Sequence, residues 1–131
     1  MAEAFFNNMH TNINAESAGI EPGKLNRLVV ESMKKINIDI SKNKTKSVDS
    51  IIKKEAKFDY IIFVCSESQA DNCPVIPYES KKLYWSIDDP SALSGTTVVK
   101  LKKIDIIRDQ IKSRVIDFFI SEKILWFKAI L

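Results

Sequence analysis

Two cysteines and one aspartate are the residues of this chain whose types and spacing could do chemistry. Cys65 and Cys73 are the only cysteines, and the seven residues between them are mostly polar. Two thiols joined by a polar loop can exchange into a disulfide when one of them ionises and both are accessible. Asp89 lies between Asp88 and Pro90 and could act as a proton donor if burial or a neighbouring charge raised its pKa. The simpler alternatives are two inert thiols and an ordinary Asp-Asp-Pro turn.

The composition favours one folded domain over residues 1–131. Apolar residues make up 45% of the chain and charged residues 28%, which is ordinary for a globular protein. The net charge of +3 is too small to predict nucleic-acid binding. No apolar run reaches the ~18 residues of a membrane span, and the N-terminus lacks a basic signal-peptide region. We therefore expect a cytoplasmic protein with reduced thiols. The lone His10 predicts no metal site, and no cofactor is expected.

Apolar periodicity predicts the helices and strands. Residues at three- and four-residue spacing predict helices over 1–9, 25–36 and from 98 onward, and 47–54 has the pattern of a short capped helix. Strand patterns cover 13–17, 58–64 and 82–85. The second ends in four apolar residues, which is typical of a strand buried on both faces of a parallel sheet. The tail over 120–131 continues with a rotated apolar stripe, and either extends the last helix or docks as a separate amphipathic piece.

Alternating strands and helices predict an α/β domain with a mostly parallel sheet. In such sheets ligands bind outside the carboxyl ends of the strands. Cys65 directly follows the 58–64 pattern, and Asp89 comes shortly after the 82–85 pattern. The sequence therefore places both residues at the same edge of the predicted sheet.

An ordered set of short motifs resembles the thioredoxin-coupled arsenate reductases, which share the fold of the low-molecular-weight protein tyrosine phosphatases. The resemblance implies a doubly wound parallel sheet with helices on both faces. The motifs run in family order over about residues 1–119. They are Met1-Ala2-Glu3-Ala4, Ser17-Ala18-Gly19-Ile20-Glu21, Ile38-Asp39-Ile40-Ser41, Thr45-Lys46-Ser47, Phe58-Asp59, Val64-Cys65, Asn72-Cys73-Pro74-Val75, Tyr84-Trp85, Asp88-Asp89-Pro90 and Arg108-Asp109-Gln110-Ile111.

The resemblance also implies roles for individual residues. Cys65 and Cys73 match the family's second and third redox cysteines, which end as a disulfide that thioredoxin reduces after arsenate has become arsenite. The family usually has six residues between them, one fewer than here. Asp89 matches the general acid of the phosphatase fold. Glu3 and Ser17 match positions that support the family's oxyanion loop, although a helix N-terminal carboxylate and a strand-end hydroxyl explain them equally well.

One part of the family pattern does not occur in these 131 residues. The family begins with a central strand and a Cys-x5-Arg loop that holds the oxyanion and activates the first cysteine. The sixth residue after Cys65 is Asp71, and the sixth after Cys73 is Glu79. We therefore expect a chain begun at an internal Met, through a misassigned start or a truncation, that lacks the first strand and is inactive alone.

Three functions are in competition at this point. The first is a thioredoxin-dependent arsenate reductase, with arsenate as the substrate of the complete enzyme. The second is a low-molecular-weight protein tyrosine phosphatase, which would leave Cys65 and Cys73 idle. The third is a non-catalytic dithiol protein that uses the two thiols as a redox switch or the 120–131 stripe as a partner surface.

Overall fold

Four helices and two strands make up the regular structure of the computed structural model, which describes residues 1–9, 12–19, 23–54, 57–65 and 79–122. A 3-10 turn over Pro90–Ala92 joins the second strand to the last helix. Each of the four helices and two strands coincides with a segment that the sequence predicted, with bounds shifted by a few residues. In chain order they are α1 (Ala2–Met9), α2 (Arg27–Lys34), α3 (Val48–Lys53), β1 (Tyr60–Cys65), β2 (Lys81–Ser86) and α4 (Thr97–Ser121).

Phe6 on α1 connects three elements in the core. Its ring stacks on Trp85 of β2 with the centroids 6.2 Å apart. It also meets the rings of Phe118 and Phe119 on α4 edge-on, at 5.3 and 5.6 Å. Offset-stacked and edge-to-face pairs add a geometric preference to the burial of apolar area. Trp85 is therefore part of the core, and α1 is held against both the sheet and α4.

Helix α2 begins and ends at residues suited to those positions. The Asn26 side chain caps its first turn by accepting from the backbone N–H groups of Leu28 and Val29. At the other end Asn37 takes a left-handed φ of 64°, and the N–H of Ile38 donates back to the carbonyl of Met33 at 3.1 Å. Asparagine tolerates this conformation better than most residues. The helix is thus closed by its own sequence at both ends.

Strands β1 and β2 pair in parallel, with Tyr60 opposite Lys81 and Cys65 opposite Ser86. Trp85 is buried on the face that packs against α1 and α4, whereas Tyr84 on the opposite face is 69% exposed. The described residues thus give a two-stranded parallel sheet. The expectations of helices on both faces and of a missing central strand stay predictions.

Helix α4 is the longest element, with 25 residues. Thr96 caps its first turn by accepting from the N–H of Val99 at 3.3 Å. Its buried residues recur at three- and four-residue spacing, as a helix packed along one face requires. They are Ile104, Ile107, Arg108, Ile111, Val115, Phe118 and Phe119. The helix runs through Ile120 and ends at Ser121, with Glu122 as its C-cap, and residues 123–131 lie outside the described ranges.

The strand predicted over 13–17 is wrong. Asn7 on α1 donates from Nδ2 to the carbonyl of Ala15 at 3.0 Å, and the Ala15 N–H donates to Asn7 Oδ1 at 2.8 Å. A carboxamide offers one acceptor and a donor group, so it satisfies a peptide unit as a neighbouring strand would. Just beyond, Gly19 forms an isolated parallel bridge with Ser47. The segment therefore lies against α1 without joining the sheet.

Burial of β1 on both faces is also wrong in part. Phe63 is buried, but Val64 remains 44% exposed. Among the described residues β1 has a strand neighbour on one side only, and a free edge leaves adjacent side chains accessible. The apolar run therefore predicted the strand correctly, but it predicted the burial of Val64 incorrectly.

Candidate functional site

The carboxyl edge of the sheet is the place where the sequence predicted chemistry. β1 ends at Cys65, in register with Ser86 at the end of β2, so the two parallel strands finish side by side. The expectation that Cys65 stands at the tip of a strand is confirmed for its backbone. Cys73 lies outside the described residues. The redox roles of both cysteines stay predictions.

Asp89 follows the end of β2 by three residues, which limits its distance from that edge to about 10 Å of extended chain. Buried Ile87 anchors the connection. Asp89 Oδ1 accepts a hydrogen bond from the Ser91 N–H at 2.8 Å, and the Ala92 N–H donates to the Asp89 carbonyl at 3.1 Å. Asp89 therefore caps a tight turn, as the simpler alternative proposed. Its role as a general acid stays a prediction.

Glu3 and Ser17, separated by fourteen positions, are in direct contact. The Ser17 hydroxyl donates to Glu3 Oε2, a carboxylate in the first turn of α1. A negative charge there interacts favourably with the positive end of the helix. Burial lowers the pKa of the Met1 amino group, and the nearby Glu3 charge partly opposes that shift. The two family-matched residues are thus brought together at the N-terminus of α1.

The three arginines of the sequence all lie on helices. Arg27 opens α2 and Arg114 is an exposed residue of α4. Arg108, by contrast, is buried on α4 although it is charged. Its guanidinium donates to the Ser32 carbonyl at 2.9 Å and to Asp105 Oδ1 at 3.2 Å. These bonds explain how a charged group is accommodated between two helices.

The polar cluster around Asp105 was missed as a unit by the sequence analysis. Ser32 on α2 is fully buried and donates to Asp105 Oδ1 at 2.6 Å, while Lys35 Nζ lies 2.7 Å from Asp105 Oδ2. Burial alone would raise the pKa of Asp105. The bonds from Lys35 and Ser32, with the charges of Lys35 and Arg108, lower the pKa below its usual value. A polar serine on the apolar face of α2 was the signal available in the sequence.

A second cluster, also missed, ties the sheet to the end of α4. Lys81 Nζ donates to both oxygens of Glu122 at 2.8 and 2.9 Å, and the Tyr60 hydroxyl donates to Glu122 Oε2 at 3.0 Å. The hydrogen bond from Lys81 lowers the pKa of Glu122, and the same carboxylate raises the pKa of Tyr60 and Lys81. The first residues of β1 and β2 are thereby fixed to the residue that caps α4.

Comparison with known proteins identifies the family. Residues 1–125 match the family described as low molecular weight phosphotyrosine protein phosphatase. The chain belongs to this family. Within it, the chain is similar to the arsenate reductase of Bacillus subtilis (strain 168), with 37% identity over 102 residues that cover 78% of this chain and 71% of that protein. It is also similar to arsenate reductase 2 of Staphylococcus saprophyticus, with 34% identity over 106 residues that cover 81% and 74%.

Two solved structures agree with the fold. The arsenate reductase of Archaeoglobus fulgidus aligns with a TM-score of 0.62 and 31% identity, over 87% of this chain and 86% of that one. An arsenate reductase in its reduced state aligns with a TM-score of 0.68 over 92% and 86% of the two chains. At 20% identity the latter supports the fold alone. Cys65, Cys73 and Asp89 all lie within the residues that match the phosphatase family, and 126–131 lie beyond them.

Two further features of this family member concern membranes and metals. Along the stretches that the structure describes, no helix is both long and apolar enough to cross a bilayer. Over the same stretches, no group of three or more His, Cys, Asp or Glu side chains is placed to bind a metal ion.

Proposed function

We propose that this chain acts in arsenate reduction, with Cys65 and Cys73 as the second and third cysteines of a thiol relay. The observation that carries the proposal is the similarity to relatives named arsenate reductase, at 37% and 34% identity over most of the chain. The end of parallel strand β1 at Cys65 supports it, because ligands of α/β sheets bind at that edge.

The relay requires a first cysteine that these 131 residues do not supply. Its thiolate displaces an oxygen of arsenate as water and forms a sulfur–arsenic bond. The Cys65 thiolate then attacks that sulfur, the bonding electron pair leaves with arsenic as arsenite, and a disulfide forms. Cys73 attacks the Cys65 sulfur and expels the first cysteine as a thiolate. A thioredoxin dithiol supplies the two electrons and two protons that restore Cys65 and Cys73.

We therefore propose that the 131-residue chain alone does not turn over arsenate or aryl phosphates. An oxyanion needs backbone N–H groups and an arginine fork to be held, and Asp71 and Glu79 stand where an arginine would follow Cys65 or Cys73. Arg108 is engaged with Ser32 and Asp105. An acidic residue at either position would repel the anion.

Asp89 is the proposed proton donor to the leaving oxygen. Its position just after β2 and its half-buried state support that role. The capping bond to Ser91 uses Oδ1 and orients the carboxyl group. A donor in this position would assist the departure of water from the arsenate adduct.

The test is to join a strand and a Cys-x5-Arg loop ahead of Met1 and to assay arsenate-dependent oxidation of thioredoxin. The proposal predicts turnover in the extended protein and none in the 131-residue chain. Cys65→Ser and Cys73→Ser should each abolish turnover. Hydrolysis of an aryl phosphate that persists in both variants, without arsenate reduction, would favour the phosphatase instead. A reversible disulfide without either activity in the extended protein would favour the non-catalytic dithiol protein.

A further inference from the structure

An exposed aromatic ring lies near the carboxyl edge of the sheet. Tyr84 is 69% exposed, and its ring stacks on Phe63 of the neighbouring strand, with the centroids 4.9 Å apart and the planes 13° from parallel. Phe63 is itself buried. The stack therefore holds an accessible ring on a buried support, on the sheet face opposite to that of Trp85.

Tyr84 is close to the end of β1 at Cys65. The register pairs Tyr84 with Phe63 and Ser86 with Cys65. Tyr84 therefore lies one strand across and two residues back from Cys65. A strand spacing of ~4.8 Å and a rise of ~3.3 Å per residue give about 8 Å between the Cα atoms of Tyr84 and Cys65. The exposed ring is thus a neighbour of the second cysteine in the proposed relay.

The reductant of the proposed relay is a protein, and its size decides what it contacts. Its thiolate must come within bonding distance of the disulfide that holds the Cys65 sulfur. A small, transient complex buries ~600 Å² on each partner, which is the area of a disc about 14 Å in radius. Tyr84 lies well inside a disc of that size centred on Cys65.

Tyr84 also has the chemical character of a binding residue. Tyrosine is enriched among the interface residues whose truncation weakens binding most. Its ring supplies a large contact area with few rotatable bonds. Because the stack on Phe63 already restricts the ring, less conformational entropy is lost when a partner covers it.

We propose that Tyr84 is the aromatic contact on which a protein dithiol docks when it reduces a disulfide at Cys65. This docking role rests on the proposed relay, which supplies the protein dithiol as the partner. A small dithiol reaches the same disulfide without covering Tyr84. The difference between the two kinds of reductant therefore isolates the contribution of the ring.

The test separates Cys65 from the rest of the relay. In Cys73→Ser, Cys65 is the only cysteine left, and it is converted to a mixed disulfide with thionitrobenzoate. Reduced thioredoxin, used as the protein dithiol, gives up two electrons, becomes a disulfide and releases the coloured thionitrobenzoate. Dithiothreitol performs the same reaction as the small dithiol. The second-order rate constant is measured with each reductant.

The added substitution Tyr84→Ala should lower the rate constant with thioredoxin about tenfold and leave the rate constant with dithiothreitol unchanged. Tyr84→Phe keeps the stacked ring and should keep the rate constant with thioredoxin. Ile106→Ala is the matched control, because it trims an apolar side chain that is 59% exposed on α4. It should change neither rate constant.

Equal rate constants with thioredoxin before and after Tyr84→Ala would overturn the docking role and leave the relay standing. A fall with both reductants would also overturn it, because the substitution would then act on Cys65 itself. A rate constant with thioredoxin that falls as the chain is concentrated would overturn it too, since a second copy would then cover Tyr84. Failure of the relay is recognised separately, by the absence of a Cys65–Cys73 disulfide in the oxidised parent chain.

Discussion

Asn7 and Ala15 exchange two hydrogen bonds, so that a carboxamide on α1 holds the extended segment that follows it. Two residues further on, the Ser17 hydroxyl donates to Glu3 on the same helix. Together these contacts lay the 12–18 segment along α1. They bring Glu3 and Ser17 together at the N-terminus of α1, and a role of the pair in supporting an anion loop stays a prediction.

Replacing Asn7 should therefore weaken the attachment of this segment. Asn7→Ala removes both bonds to Ala15, and we expect it to lower the free energy of unfolding by about 1–2 kcal/mol. Asn8→Ala, at the exposed neighbouring position, is the matched control and should change it by less than about 0.5 kcal/mol. Chemical denaturation of the two variants measures both values. Equal losses of unfolding free energy in the two variants would mean that the hydrogen bonds between Asn7 and Ala15 contribute no stability.

Arg108 should be the most sensitive charged residue of α4. Arg108→Met leaves the Ser32 carbonyl and Asp105 without their buried donor, and we expect a loss of about 2–4 kcal/mol. Lys112→Met removes an exposed charge from the same helix and should cost less than about 0.5 kcal/mol. Thermal and denaturant unfolding provide the comparison. A loss at Arg108 no larger than at Lys112 would contradict the account of the α2–α4 contact.

The stabilising effect of Asp105 should depend on pH in a defined direction. Its folded-state pKa lies below the ordinary value of 3.8, so its ionised form stabilises the fold above that value and loses this effect as pH falls through the lower folded pKa. The unfolding free energy of the parent chain should exceed that of Asp105→Asn by a constant amount between about pH 5 and 7. This difference in unfolding free energy should shrink as the pH falls below 3.8, the ordinary pKa of aspartate. A difference that grows on acidification would refute the assigned direction.

Asp89 allows capping to be separated from proton donation. Asparagine caps a turn about as well as aspartate, so Asp89→Asn should leave the free energy of unfolding within about 0.5 kcal/mol of the parent, whereas Asp89→Ala should lower it by about 1 kcal/mol. In the protein extended by a Cys-x5-Arg loop, both variants should lose arsenate reduction. Full activity in Asp89→Asn would remove Asp89 from the proposed mechanism.

Much of the fold could be predicted from local pattern alone. Apolar spacing located α1, α2 and α4, and the capped-helix pattern that begins at Ser47 located α3. The predictions failed where a side chain, and not the backbone of a neighbouring strand, supplied the hydrogen-bond partner. Asn7 satisfies the peptide group of Ala15, which no strand pattern reveals. Arg108 is buried because Ser32 accepts its bonds across 76 positions of sequence, a separation beyond the reach of helical periodicity.

The candidate site could be predicted only in outline. The position of Cys65 followed from the apolar run that ends β1, and the Asp-Asp-Pro turn followed from its residue types. The contact between Glu3 and Ser17 required the path of the chain after α1. The cluster of Tyr60, Lys81 and Glu122 joins residues that lie 21 to 62 positions apart in the sequence. A local sequence pattern therefore cannot predict it.

The central claim is that Cys65 and Cys73 form the dithiol that thioredoxin recycles. The most direct measurement is to oxidise the 131-residue chain, locate its disulfide by mass spectrometry and titrate it with reduced thioredoxin. The account predicts a Cys65–Cys73 bond that one equivalent of thioredoxin reduces and that arsenate alone does not regenerate. Absence of that bond after oxidation, or its regeneration by arsenate in this chain, would contradict the account.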